Sequence, residues 1–363
     1  MKFRLFLSSF FVCFAVSVLS AQELPSWKIL EEAEVCFEEL KYGEALRLSN
    51  DALKARKSEI QDEFNTLEIS ITPAQVRRYG KEFDKVIEIL TEREQKKAVS
   101  IINKYLDLYG EEYFNNDIYG MLAWLKAKET YPEANYLIGQ IYQVEGELET
   151  AGYFFEKAYK DRKYLDVYET QYQILYDMAY LAKVQGDKEK LEKMLLLILD
   201  DDKNFKDKNF LQSITRTIKQ NKSKNVDRLY LIYRAESKFS IKALYELSHI
   251  YEDAGMEELS VQCVALATVE AFTHFLGIME ERDSLFSYSN LTKFFIECAK
   301  YDDICIWAQE NHVWELFYLL ALKSKRMGYR SFSTQFLLVL SNSLPDEHFK
   351  TLSRMALTSQ NKK

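Results

Sequence analysis

Residues 131–163 place small and large apolar side chains at a spacing that strongly constrains the fold. Gly139, Ala151 and Ala158 are small enough to let two helices approach closely, and Phe155 is large enough to fill the gaps left between them. Gly146 lies between the two runs, where a helix would have to end and the chain reverse. The segment therefore predicts two antiparallel helices joined by a tight turn.

The same spacing recurs along the chain. Small residues occupy equivalent positions at 33, 139, 179, 248 and 321, and a glycine follows each at or near the expected turn: Gly43, Gly146, Gly186, Gly255 and Gly328. The positions differ by 106, 40, 69 and 73 residues, which are roughly three, one, two and two periods of 34. Further helix pairs are expected in the intervals, at 74–128, where Thr72-Pro73 would cap the first helix, and at 285–310.

The pattern of 131–163 resembles the tetratricopeptide repeat, in which Leu-Gly precedes Tyr and is followed by Ala, Phe and Ala. Here Ile138-Gly139, Tyr142, Ala151, Phe155 and Ala158 take those places, while Asn135 stands where the repeat has its leading aromatic residue. The resemblance implies a right-handed α-solenoid of helix-turn-helix repeats, and a protein that binds partners rather than catalysing reactions.

The remaining sequence agrees with an all-α fold. The chain has only 4 Pro and 11 Gly, and it shows no sustained two-residue alternation bounded by hairpin turns. The sequence predicts seven segments in chain order. They are a signal peptide at 1–21, an N-terminal helix pair at 22–60, degenerate helical repeats at 61–130, repeats at 131–200, a polar connection at 201–230, repeats at 231–345, and a capping helix with a tail at 346–363.

The first 21 residues resemble a secretory signal peptide. Lys2 and Arg4 are followed by the apolar run 5–19 and then by small residues that suit cleavage. A retained membrane anchor and a lipoprotein acylated at Cys13 are the alternatives. We expect an exported, periplasmic protein with no integral span after cleavage, since no second long apolar run follows.

The net charge of the chain argues against a nucleic-acid partner. The net charge is −8, whereas a nucleic-acid-binding protein is normally basic. Locally, 200–228 is rich in Lys and Asn, and it is either a basic anchor for an anionic surface or a solvated helix pair with a loose connection.

Four cysteines remain beyond the signal segment: Cys36, Cys263, Cys298 and Cys305. An exported protein could form disulfides, with Cys298 and Cys305 as one short-range pair. The alternative is that all four are small buried apolar residues, as free cysteines commonly are.

In a tetratricopeptide repeat the first helix of each pair lines a concave groove. Carried onto this sequence, the resemblance implies that the groove-lining residues are Tyr136, Gln140, Gln143, Tyr176, Tyr180, Lys183, Tyr245, His249, Glu252, Tyr318 and Lys325. A tyrosine begins the set in each of the four clearer repeats, and tyrosine gives a large contact area with a polar end. The alternative is that these rings pack between neighbouring helices.

Catalytic and metal signatures are weak. His249, His274, His312 and His348 lack a metal-ligand spacing, although His249/Glu252 and His312/Glu315 are i, i+3 pairs. No nucleophile elbow, phosphate-binding glycine loop or HExxH motif occurs. We therefore expect no enzyme activity, metal or cofactor. The predicted function is a scaffold or adaptor for protein partners in the cell envelope, and the alternative is a small-ligand-binding or transporter-accessory protein.

Overall fold

The computed structural model describes residues 24–70, 130–221, 226–237 and 239–358, with side chains from 60 to 70 excepted. The described residues form sixteen α-helices and no strand, which confirms the all-α prediction for this part of the chain. The signal segment 1–21 and residues 71–129 of the predicted repeats 61–130 lie outside the described residues. The helices are α1 Ser26–Glu38, α2 Tyr42–Ser70, α3 Pro132–Val144, α4 Leu148–Lys160, α5 Thr170–Gln185, α6 Lys188–Ile198, α7 Lys203–Lys206, α8 Lys208–Lys219, α9 Asp227–Ile232, α10 Ser240–Asp253, α11 Glu257–Arg282, α12 Leu291–Cys298, α13 Asp302–Glu310, α14 Val313–Arg326, α15 Arg330–Ser343 and α16 Glu347–Thr358.

The chain divides into two compact units after Leu165. In the first unit α1 packs on α2, α3 packs on α4, and α2 contacts α3. Gly139 lies where α3 meets α4, and a Cβ atom there would come within 2.5 Å of two ring carbons of Phe155. Ala151 and Ala158 on α4 are fully buried. The small residues of the 131–163 motif are thus placed where the two helices approach each other.

Glycines end four of the first helices in the way that the sequence predicts. Gly146, Gly186, Gly255 and Gly328 all have positive φ, between 73° and 84°. At each, two backbone N–H groups return to carbonyls of the last helical turn, as in Gly146 N to Gln143 O at 3.2 Å and the following N–H to Tyr142 O at 2.9 Å. This is the Schellman arrangement, which satisfies carbonyls that would otherwise be left without donors.

In the second unit, α5 pairs with α6, α10 with α11, and α14 with α15. The second helix of one pair packs on the first helix of the next, so that α6 contacts α10, α11 contacts α14, and α15 contacts the terminal α16. The short helices α12 and α13 fall within the predicted pair at 285–310.

The polar stretch that starts at residue 200 is largely helical where the structure describes it. Asp202 and Asp207 cap α7 and α8, each accepting two backbone N–H bonds through one carboxylate oxygen. Helix α8 buries Ile214 and Ile218 and leaves its basic residues exposed. This geometry is that of a solvated amphipathic helix.

Helix α11 forms the centre of the second unit. Among the described residues it alone has the length and apolar character of a membrane-crossing segment, but 72% of that apolar window is buried inside the protein. Phe272 and Phe275 on α11 are fully buried, and Phe272 lies 5.0 Å from Tyr230 and 4.7 Å from Phe294, measured between ring centroids.

All four cysteines of the described residues are free thiols. Cys263 and Cys298 are buried, and burial raises the pKa of the Cys263 thiol to about 12 and that of Cys298 still further above its usual value. Cys305 donates a weak hydrogen bond to the Cys298 carbonyl oxygen instead of pairing with its sulfur.

Candidate functional site

The second unit contains an open groove of about 640 Å³ between α5, α6, α10 and the residue that precedes α14. The first helices α5 and α10 supply most of its walls. The residues that line the groove and carry the argument are Lys183, Leu191, Tyr245, Glu246, His249 and His312.

Tyr245 is the centre of this groove. Its ring stacks on His312 with centroids 4.5 Å apart and planes 5° from parallel, and His249 meets it edge-on at 4.8 Å. The Tyr245 hydroxyl donates to Glu315 Oε2 at 3.1 Å. Burial and this carboxylate raise the pKa of Tyr245 well above its usual value, so the phenol stays neutral and donates.

His312 reaches Tyr245 through an uncommon backbone conformation. Its φ is 55°, in the left-handed region, and it forms the joint between α13 and α14. Side chains other than glycine rarely occupy that region, although histidine is among the more tolerated. The side chain remains 49% exposed, with Nδ1 3.8 Å from Glu315 Oε2. The joint thus leaves an imidazole on the groove surface with one face against Tyr245.

Charged and polar groups border this aromatic pair. Lys183 Nζ on α5 lies 2.7 Å from Glu246 Oε1 on α10, so an ion pair spans two walls of the groove. Burial lowers the pKa of His249, with Lys323 adding to the effect, and the imidazole is therefore neutral at pH 7. Its Nε2 atom is buried and has no hydrogen-bond partner among the described residues.

Three of the predicted groove residues, Lys183, Tyr245 and His249, are brought together in this groove, and the five others of the second unit do not line it. The Tyr176 hydroxyl donates to the Phe239 carbonyl and accepts from Ala243 N–H, so it ties α5 to the start of α10.

Glu252 binds Lys323 and Arg326, and Tyr318 packs 5.9 Å from Phe349 between ring centroids. Tyr180 and Lys325 are exposed. In the first unit, Tyr136 packs on Phe155 at 5.8 Å, and Gln140 and Gln143 are half-buried.

Lys323 and Ser260 form the one arrangement in the described residues that resembles a catalytic pair. Lys323 Nζ lies 2.8 Å from Ser260 Oγ, but it donates to the hydroxyl, whereas a lysine general base would accept the serine proton. Both residues are buried, however, and Ser260 Oγ itself donates to the Ser248 carbonyl at 2.6 Å. A substrate could not reach this hydroxyl, so the pair joins α11 to α14 and has no catalytic geometry.

The described residues contain no group of three or more His, Cys, Asp or Glu side chains placed to hold a metal ion. His249 and His312 both contact Tyr245, whereas His274 packs against Trp307 at 4.2 Å and does not line the groove.

Sequence reasoning missed His312, Glu246 and Lys323 as residues of this region. The i, i+3 pair His312/Glu315 was a signal for His312. That residue precedes α14, however, and so lies outside the helical face that the repeat pattern selects. Lys323 had no signal, because a lysine in a polar run normally points to solvent.

The comparisons with known proteins leave the activity open. A protein of Treponema pallidum (strain Nichols), described only as an uncharacterized protein, is 24% identical over 293 residues, which cover 80% of this chain and 78% of that protein. No protein-family model matches the chain. No solved structure matches it. The resemblance to the tetratricopeptide repeat therefore rests on the motif and the helix pairing alone.

Proposed function

We propose that this protein is a non-catalytic, exported scaffold of tetratricopeptide-like repeats, which binds a protein partner of the cell envelope in the Tyr245 groove. In each unit the stacked helix pairs would continue as a right-handed α-solenoid, with the first helices on the concave side. The observation that carries the proposal is the groove itself, where α5, α10 and the joint before α14 present an aromatic stack, a neutral imidazole and an ion pair.

The composition of the groove suits a polypeptide partner. Aromatic rings that keep one polar end exposed are frequent among the residues that dominate protein interfaces. Tyr245 and His312 offer a flat stacked surface. Lys183 and Glu246, which pair with each other, can instead form ion pairs with charged groups of a bound chain.

A small-ligand-binding function is the second candidate, because the groove volume falls within the range of small-molecule sites. Against this, much of the wall is charged and solvent-exposed, whereas small-molecule pockets are mostly apolar.

Affinity capture from an envelope extract tests the proposal. The bait is the mature chain, compared with a Lys183→Ala, His312→Ala double variant that alters two exposed groove residues. The matched control is Leu338→Ala, since Leu338 is 48% exposed and lies on α15, a second helix. We expect the same partner with wild type and control and a loss of at least about tenfold with the groove variant, about 1.4 kcal/mol.

Equal capture by the groove variant, with unchanged thermal unfolding, would contradict the protein-binding role. A small molecule that co-purifies with wild type and control but not with the groove variant, seen by native mass spectrometry, would favour the second candidate instead.

A further inference from the structure

Two acidic side chains lie in the interior of the second unit, away from the groove residues described above. Glu270 is 1% exposed and Asp202 is 4% exposed. Glu270 is the one acidic residue of α11 between Glu258 and Glu280, in the middle of an otherwise apolar run. Asp202 stands directly before α7. An ionised carboxylate in such a position needs donors or a cation, because burial of an unpaired charge is strongly unfavourable.

The donors that the structure provides satisfy only part of this pair. Asp202 Oδ1 accepts from Asn204 N–H at 2.8 Å and from Phe205 N–H at 3.1 Å. Asp202 Oδ2 and both oxygens of Glu270 are buried and have no donor among the described residues. The two carboxyl groups are within hydrogen-bonding reach of each other, so a proton on one of them supplies the missing donor.

Among the described residues, no positive charge lies close enough to hold both carboxyls ionised. From α5, Tyr176 faces Glu270 with a hydroxyl that is already engaged by backbone groups of the α10 region. On α14, Lys323 is bound to Glu252, and beside α9, Arg234 donates to the carbonyls of Tyr230 and Tyr233.

Charged groups of the other helices packed on α11 are also committed elsewhere. On α10, Glu246 pairs with Lys183, and on α9, Asp227 accepts from Tyr288 and from the Leu291 N–H. The basic residues of α8 are exposed to solvent. Two carboxyls also fall short of the six to eight oxygen ligands that a calcium ion takes.

We propose that Asp202 and Glu270 share one proton and act as a pH-sensitive latch, which holds the α6–α7 connection against α11. The two backbone N–H bonds to Asp202 Oδ1 fix its carboxyl group and leave Oδ2 as the acceptor. Glu270 carries the proton and donates it to Asp202 Oδ2. Above the pH at which that proton is lost, two like charges face each other in an apolar interior and the connection separates from α11.

The sign of the pH effect follows from linkage. The pKa of Glu270 is raised well above its usual value, first by burial and then by Asp202. The folded state therefore holds a proton that the unfolded chain has already released above its own pKa of about 4.3. The stabilising contribution is full below that pH and is lost as the pH rises through the folded pKa.

Urea unfolding of the full chain from about pH 5 to about pH 9 tests the latch, with wild type compared with Glu270→Gln. Glutamine keeps the shape and can donate an N–H to Asp202 without titrating. We expect the unfolding constant of wild type, divided by that of the variant, to rise about tenfold per pH unit until the folded pKa is passed. Other groups, His249 included, titrate in both proteins and cancel in this ratio. The control Glu258→Gln, on the exposed start of α11, should give a flat ratio.

Infrared spectroscopy provides an independent measurement. We expect a protonated carboxyl C=O band at neutral pH in wild type and in Glu258→Gln, and its loss in Glu270→Gln. A flat wild-type to Glu270→Gln ratio overturns the proposal. Should Glu270→Gln not fold, the wild-type spectrum decides, since absence of a protonated carboxyl band at neutral pH overturns it equally.

Discussion

Replacement of Glu252 by glutamine should destabilise the second unit more than replacement of its buried partner Lys323 by methionine. Lys323 is 1% exposed, and its ammonium donates to Glu252 and to Ser260 Oγ. Glutamine at position 252 removes the negative charge and leaves the buried ammonium with neutral acceptors only. Breaking a buried pair in this way costs about 3 to 5 kcal/mol.

The lysine itself limits that cost. Burial already lowers the pKa of Lys323. Each further pKa unit by which Lys323 is lowered costs about 1.4 kcal/mol of folding stability. The cost stops growing once the lysine releases its proton. The Lys323→Met change leaves Glu252 with a quarter of its side chain exposed and still bound to Arg326. We expect that variant to lose less than about 2 kcal/mol, since methionine fills a similar volume.

The two variants also differ in their pH dependence. In Glu252→Gln the folded pKa of Lys323 falls far below that of the unfolded chain, so the unfolded state binds more protons between the two values. Stability should then rise from pH 7 towards pH 9 more steeply than in wild type. Lys323→Met should lack this rise. Urea titration at both pH values measures the effect, and equal losses for the two variants at pH 7 would refute the reasoning.

Four further substitutions test the helix packing and the turns. Gly139→Ala puts a methyl group 2.5 Å from ring carbons of the fully buried Phe155 and should cost about 1 to 3 kcal/mol, whereas Gly277→Ala, with open space around it, should stabilise by up to about 1 kcal/mol. A urea titration in which both variants are stabilised would contradict the close approach of α3 and α4. Leu40 has φ 62° at the α1–α2 turn, so Leu40→Gly should raise stability by about 0.5 to 1 kcal/mol, and Gly255→Leu should lower it by about 1 to 2 kcal/mol. A lower melting temperature for Leu40→Gly would contradict the strain at that turn.

The local features of the fold were predictable from the sequence because they depend on neighbouring residues. A glycine at a helix end predicts a left-handed turn, and Gly186 and Gly255 both adopt one. A small residue at Gly139 predicts a close helix contact, which the ring of Phe155 provides. At the first turn, Leu40 rather than Gly43 takes the left-handed conformation, because the chain reverses three residues earlier than the glycine.

The contacts of the site were less predictable, because they join residues far apart in sequence. The repeat pattern identifies one face of each first helix and so selected Tyr245 and His249. It could not place His312, whose ring reaches Tyr245 from a joint outside any helix. Nor does periodicity indicate that Lys323 turns inward. That orientation depends on its contact with Glu252, which is 71 residues away in sequence.

Site-specific photo-crosslinking in the native envelope tests the groove most directly. A photoreactive residue in place of Lys183, which is 55% exposed in the groove wall, is compared with one in place of Leu338, which is 48% exposed on α15. The proposed function predicts a discrete polypeptide adduct from position 183 and none of the same mass from position 338. Identical adducts from both positions, or none from position 183, would contradict partner binding in this groove.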